Sequence, residues 1–335
     1  MAQNYISGAD TIALYAYEDQ DGWTKDVSGH TPSDETYVPF GQGVEITVSR
    51  NNNAERIYGV GDRNATATVN KQYAGTLTVN GVMTNAYWLL GALGANTDGG
   101  SVGAYTHTYT EANKVISFST KAFAELGTID SLSTLIGCRI NTLKISAAVN
   151  EPVRFTIEAP YRYETLGTTS TSDNPDVEPV FTFAHGSIEL PDGTELAAVQ
   201  NIELTINNNL EPVYEVGSRF MRDLVAKARE YNFTITAAFN DQTKLLTKFM
   251  NGTNSATAPD DGSGTEIATM QLTFTNDEGD ILEINLTGVH INEESLPQNI
   301  NEVVKEEVTG WARACTNIIY TNDVQNAPAE ATNIA

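Results

Sequence analysis

Two stretches of the chain alternate apolar and polar residues in the same way. The first runs Gln42-Gly-Val-Glu-Ile-Thr-Val-Ser49, the second Gln200-Asn-Ile-Glu-Leu-Thr-Ile-Asn207. Val44, Ile46, Val48, Ile202, Leu204 and Ile206 form the apolar sets; Glu45, Thr47, Glu203 and Thr205 form the polar ones. A period of two is the mark of a half-buried strand. Each stretch continues into an Asn-rich loop, an aromatic residue and Val-Gly-x-Arg. These are Tyr58 and Val60-Gly-Asp-Arg63, then Tyr214 and Val216-Gly-Ser-Arg219. The interval is 202 − 44 = 158 in the strand and 214 − 58 = 156 after the loop, which a two-residue deletion in the loop reconciles.

Other segments follow in matching order. Thr11-Ile-Ala-Leu-Tyr-Ala-Tyr17 reads as a strand, and the acidic, Gly- and Ser/Thr-rich 18–39 as an arm or loop. Residues 51–72 form an excursion with few core residues. Thr76-Leu-Thr-Val79 reads as a strand closed by Asn80-Gly81, and Phe233-Thr-Ile-Thr-Ala237 is its counterpart. Asn85 is placed to cap a helix over 86–93 that Gly94 ends, and Leu245, Leu246 and Phe249 repeat its apolar spacing. Ala95–Gly103 and Thr253–Thr265 read as loose loops. Strands are expected at 115–120, 132–140, 143–149 and 152–159, and Asn285–Asn292 matches Thr134–Asn141. Residues 219–230 read alone as a helix. Their counterpart, 63–72, has the Thr/Val alternation of a strand, which favours an extended chain. The result is a mainly β protein of two similar domains, 1–166 and 180–322, joined by a Ser/Thr/Pro-rich linker at 167–179 and followed by a tail at 323–335.

The chain carries 43 acidic against 19 basic residues, a net charge of −24. That excess excludes sequence-independent binding of nucleic acid through a basic surface, and docking on an anionic membrane. No apolar run reaches the roughly 18 residues a membrane span needs. The N-terminal Met1-Ala-Gln-Asn4 lacks signal-peptide character, so synthesis in a cytoplasm is expected. Cys138 and Cys315 lack metal-site spacing and read as buried small hydrophobes.

Candidate chemistry is thin. His30, His107, His185 and His290 are scattered. Gly59-Val-Gly61 lacks the third glycine of a dinucleotide site, and its second copy keeps only Gly217, so turn glycines are expected. Glu18-Asp-Gln-Asp-Gly22 and Asp260-Asp-Gly262 fall short of calcium-loop spacing and read as solvated turns. No catalytic, cofactor or metal residue is assigned, and no enzyme is expected. Two other classes compete: an acidic surface adhesin or spike-type binding protein, and a carbohydrate-active enzyme with paired carboxylates.

The order strand, Asn-rich loop, Val-Gly-x-Arg, strand, short Leu-rich helix, Gly, loop and strands resembles the tail tube proteins of tailed viruses. The resemblance covers 7–165 and 180–322, and is stronger in the second half, at Gln200–Asn209, Tyr214–Arg219 and Tyr231–Ala237. It implies a β-sandwich or barrel with a short flanking helix in each tube domain. It also implies rings joined edge to edge, stacked into a virion tail conduit with other tail proteins, through which viral DNA passes without specific binding. Members of that family mostly carry one tube domain and form six-fold rings. Two domains per chain then imply three chains with pseudo-six-fold symmetry, a six-chain ring being the alternative. If these strands line the bore, their polar faces do so through Glu45, Thr47, Thr76, Thr78, Glu203, Thr205, Thr234 and Thr236, the alternative being that the same faces meet the outer solvent. The resemblance also implies that the loops 51–72 and 209–230 reach a neighbouring ring, with Tyr58, Arg63, Tyr214 and Arg219 as contacts, the alternative being mobile surface loops.

Overall fold

A computed structural model describes residues 11–18, 37–124, 131–167, 179–189, 199–238, 266–298 and 303–324. The first half begins with β1 (Thr11–Tyr17), β2 (Val38–Pro39) and β3 (Gln42–Asn51). A hairpin follows, β4 (Ala54–Tyr58) and β5 (Ala65–Asn70), then β6 (Ala74–Val82) and the helix α1 (Leu89–Leu93). A second hairpin, β7 (Gly94–Ser101) and β8 (Ala104–Glu111), precedes β9 (Phe118–Ala124), β10 (Ser131–Cys138), β11 (Thr142–Ala148), β12 (Arg154–Tyr161) and β13 (Tyr163–Gly167). The second half holds β14 (Ser187–Glu189), β15 (Val199–Asn207), the hairpin β16 (Glu211–Val213) and β17 (Asp223–Val225), and β18 (Glu230–Ala238). It ends with β19 (Ile267–Thr275), β20 (Ile281–Ser295) and β21 (Lys305–Asn322). The chain is mainly β, as the alternation predicts.

Eight antiparallel strands lie side by side in the order β3-β6-β12-β11-β15-β18-β21-β20. The central neighbours, β11 and β15, come from different halves, so one sheet crosses the whole chain. The sheet is open, with β3 at one end and β20 leading to β19 and β14 at the other. A five-stranded sheet, β13-β10-β9-β1-β2, packs on it. Tyr15 and Phe118 from that sheet share one core with Leu77, Ile157, Ile202 and Phe233 of the large one. β20 and β21 are long, at 15 and 18 residues. β21 pairs with β18 near its start and with β8 near its end.

Pairing order is alike in the two halves. β3 and β6 flank the β4–β5 hairpin, as β15 and β18 flank β16–β17. Each pair carries one register shift near its start, between Gln42 and Glu45 and between Val199 and Asn201. Ile46 faces Val79 and Ile202 faces Ile235, so the interval is 202 − 46 = 156 and 235 − 79 = 156. These pairings fit a common interval of 156, where the sequence comparison takes 158 in the strand. A shift of two residues keeps every side chain on its face, so alternation alone cannot detect the slip.

Other differences have local causes. The helix is five residues, not eight, and Trp88 rather than Asn85 stands at its N-cap. The Asn85 side chain instead donates to the Pro39 carbonyl. Every helical residue is buried, so packing rather than capping sustains so short a helix. Gly94 does end it, at φ 101°. The expected loop 95–103 is strand β7, paired along its length with β8. β8 went unrecognised because its inward residues, His107 and Tyr109, are polar-tipped. The segment 219–230 is extended, with β17 pairing β16. The linker over 168–178, the second Leu-rich segment at 245–249, the loop 253–265 and the tail from 325 lie outside the described residues.

Candidate assembly surfaces

The eight-stranded sheet has one apolar and one polar face. Leu77, Val79, Leu143, Ile145, Ile157, Ile202, Leu204, Ile206, Phe233 and Ile235 are buried on the first. On the second, Glu45 and Thr47 are exposed, while Thr76, Thr78, Glu203, Thr205, Thr234 and Thr236 are half-buried. All eight residues expected to line a bore thus share one face. One lateral row runs unbroken across the eight strands: Glu45, Asn80, Thr156, Lys144, Thr205, Asn232, Trp311, His290. Another links Thr47, Thr78, Glu158, Thr142 and Asn207. The middle strands β11 and β12 therefore contribute residues that sequence reasoning left unassigned. Their own alternation, in Thr142-Leu-Lys-Ile-Ser and Arg154-Phe-Thr-Ile-Glu, carries the same signal. Glu203 is not a free carboxylate, since Lys144 lies 2.6 Å from it across the β11–β15 seam.

The two hairpins start alike. Asn53 and Asn209 take left-handed backbones, at φ 46° and 48°. The Asn53 N–H donates to Asn51 Oδ1 and its side chain to the Gln72 carbonyl, at 2.8 and 2.9 Å. The corresponding bonds of Asn209 go to Asn207 Oδ1 and the Ala228 carbonyl, at 3.1 and 2.8 Å. Gly61 and Gly217 occupy turns at φ 88° and 97°, as expected of turn glycines. The surroundings of the hairpins differ. β4 and β5 are exposed throughout. The second hairpin buries Met221 and Leu224 against Leu210 and Tyr214. It also lies on the first half: Arg139 donates to Asp223 at 2.9 Å and to the Leu224 carbonyl at 2.6 Å. Phe220 packs edge-on to Tyr163, ring centres 5.1 Å apart.

The four residues expected to make ring contacts divide accordingly. Tyr58 is 57% exposed, and Arg63 is exposed. Tyr214 donates to the Tyr73 carbonyl, and Arg219 to the Lys71 carbonyl and Asn52 Oδ1. Burial raises the Tyr214 hydroxyl pKa.

The seam between halves is specified by polar side chains as well as by the ladder. Asn208 is 1% exposed; its Nδ2 donates to the carbonyls of Ile140 and Ala92, at 2.8 and 3.1 Å. Its Oδ1 accepts from Arg229 Nε at 2.6 Å. Its N–H donates to the Asn141 carbonyl, and Asn141 Oδ1 accepts the Leu210 N–H, both at 2.8 Å. Asn208 was not singled out from the sequence, where it is one of three consecutive asparagines.

Chemistry-bearing side chains have structural partners. His107 is buried between Asp98 at 2.7 Å and Asn322 at 3.1 Å. His290 stacks on Trp311, ring centres 4.4 Å apart, and lies 3.2 Å from Glu266. Cys138 and Cys315 are unbridged and buried, and burial pushes the Cys315 thiol up to about 12. Glu18, read as part of a solvated turn, is instead buried, its Oε1 accepting from Ser119 Oγ and the Gly137 N–H, while His30, the side chain of His185, residues 19–22 and the turn at 260–262 lie outside the described residues. Among the described residues no cluster of three or more His, Cys, Asp or Glu is placed to hold a metal ion, and no helix is long and apolar enough to cross a membrane.

A search among curated proteins finds no significant match. A family model described as phage tail tube protein matches residues 8–309. That span is most of the 335 residues, and the chain belongs to the phage tail tube protein family.

Proposed function

We propose that the chain is the wall of a genome-delivery tube, built from rings that close its open sheet. The observation that carries this reading is the β11–β15 seam. There the chain joins two four-strand units edge to edge, β3-β6-β12-β11 and β15-β18-β21-β20, with the same pairing order in each. We take the units to be copies, within domains 1–166 and 180–322. An edge-to-edge joint already made once inside the chain can be repeated between chains, which removes the exposed edges an open sheet would present. Three chains then supply six units and a pseudo-six-fold ring.

In such a ring the polar face turns to the bore. Glu45 and the threonines present a carboxylate and hydroxyls to passing DNA, with Glu203 neutralised by Lys144, and the acidic excess disfavours sticking. Tyr58 and Arg63, on the exposed hairpin, are the contacts offered to a neighbouring ring. Tyr214 and Arg219, which also bond within the chain, brace the base of that hairpin. The protein is then a virion tail component whose partners are itself and other tail proteins. Negative-stain microscopy of the purified full chain tests the reading: rings or tubes are expected, and a monodisperse monomer at all concentrations would refute it.

A further inference from the structure

The internal seam is a template for the external one, and it leads to a specific residue pair. Two intervals fix the equivalence. β3 maps on β15 with an interval of 156, as above. Thr142 faces Glu158, and Glu293 faces Thr309, so β11 and β12 map on β20 and β21 with 293 − 142 = 151 and 309 − 158 = 151. Across the internal seam Leu143 faces Ile206, both buried, at 0% and 1% exposure. Adding 151 to the first and subtracting 156 from the second gives Glu294 and Arg50. An apolar pair inside the chain becomes a pair of opposite charges at its ends.

Three further observations favour this pairing. Glu294 Oε1 is buried without a hydrogen-bond partner among the described residues. A buried acceptor left unpaired is costly, so a missing donor is implied. Arg50 stands on the outermost strand with its side chain 47% exposed. It already holds Glu164 through Nε and Nη2. A guanidinium has five donors, which leaves capacity for a second carboxylate. Finally, the asparagines that specify the internal seam recur at the edges. Asn208 corresponds to Asn52 and Asn141 to Asn292. Asn52 and Asn292 are exposed, whereas Asn208 is buried and Asn141 half-buried. Asn52 Oδ1 accepts from Arg219 as Asn208 Oδ1 accepts from Arg229.

We infer that the end of β20 past Val289, beyond its pairing with β19, pairs antiparallel with β3 of a second copy in this register, with Glu294 against the second copy's Arg50 on the core side of the sheet. Asn52 of that copy then bonds Ile291 and Asn292 as Asn208 bonds Ile140 and Asn141. The charge pair makes the external joint one that a newly folded chain can keep soluble before assembly, and it sets the register that plain alternation leaves free. This rests on the ring reading and deepens it.

The test uses full-length protein in two arms. Antiparallel partners have Cα atoms about 4.5–5.5 Å apart, within disulfide reach. The double variant Arg50→Cys/Glu294→Cys should therefore give an oxidation-dependent ladder on a non-reducing gel, while the control Arg50→Cys/Leu296→Cys should give at least tenfold less. Separately, Glu294→Lys should lower the assembled fraction at least tenfold with unchanged monomer melting, and Arg50→Glu/Glu164→Lys/Glu294→Lys, which keeps opposite charges both beside residue 50 and across the joint, should restore it. Wild-type assembly with an unaffected Glu294→Lys variant, or a ladder only from the control, overturns the pair and leaves the ring standing. A wild-type chain that never assembles overturns the ring, and the pair with it.

Discussion

Asn208→Ala should destabilise the isolated chain, because this side chain holds the joint between the halves. Its Nδ2 makes two bonds to main-chain carbonyls and its Oδ1 accepts from a guanidinium, all within 3.1 Å. Alanine leaves two carbonyls and one charged donor short of a partner in a site where the wild-type residue is 1% exposed. Neutral bonds contribute about 1 kcal/mol each and a bond to a charged group about 1.5–3, which places the loss at about 3.5–5 kcal/mol. Urea unfolding should show it as a lower midpoint at an unchanged slope. Asn52→Ala is the matched comparison. Asn52 is exposed, so the monomer should stay within about 0.5 kcal/mol of wild type while assembly weakens. An Asn208→Ala midpoint within that same margin would refute the claim that side-chain bonds specify the seam.

Replacing Glu45 and Glu203 with Lys should leave tubes that form but slow genome ejection, most clearly at low salt, where the Debye length is longest; unchanged ejection kinetics would count against a bore-facing polar sheet. The effect at 203 should be the larger, since the new lysine would also face Lys144 in place of the present ion pair. Removing 51–56 from the exposed hairpin should preserve the circular-dichroism spectrum and melting of the monomer but block tube growth, and normal tubes would refute the stacking role. Glu164→Gln should lose about 1 kcal/mol at neutral pH, a modest figure because Arg50 is half exposed. Burial alone would raise the Glu164 carboxyl, but bonds from Arg50 and Ser133 and the Arg50 charge outweigh it and hold it below the usual range. A depressed carboxyl stabilises above its unfolded pKa, and that contribution is lost as pH falls through the folded value, so wild type and variant should converge in acid.

What the sequence disclosed followed its periodicities. Strands β3, β6, β15 and β18 alternate cleanly, so their faces, and the placement of Glu45 to Thr236 on one of them, were legible. The order of these strands around Val-Gly-x-Arg carried the resemblance to the family whose model matches the chain. Three kinds of feature were not legible. Strand register was not legible because a slip of two residues preserves alternation. β7 and β8 were hidden because glycine-rich Gly94–Ser101 gains its order from pairing with β8, and β8 from pairing with β21, both non-local contacts. The seam residues Asn208 and Arg139 were invisible because polar groups in a loop look alike whether they meet water or a neighbouring strand.

In the proposed ring three chains close through three internal and three external seams. Native mass spectrometry of a single ring, released from tubes or trapped by the Arg50→Cys/Glu294→Cys disulfide, tests it most directly. With a chain of 36.2 kDa, the account predicts 3 × 36.2 = 108.6 kDa. A species of 6 × 36.2 = 217.2 kDa would contradict it.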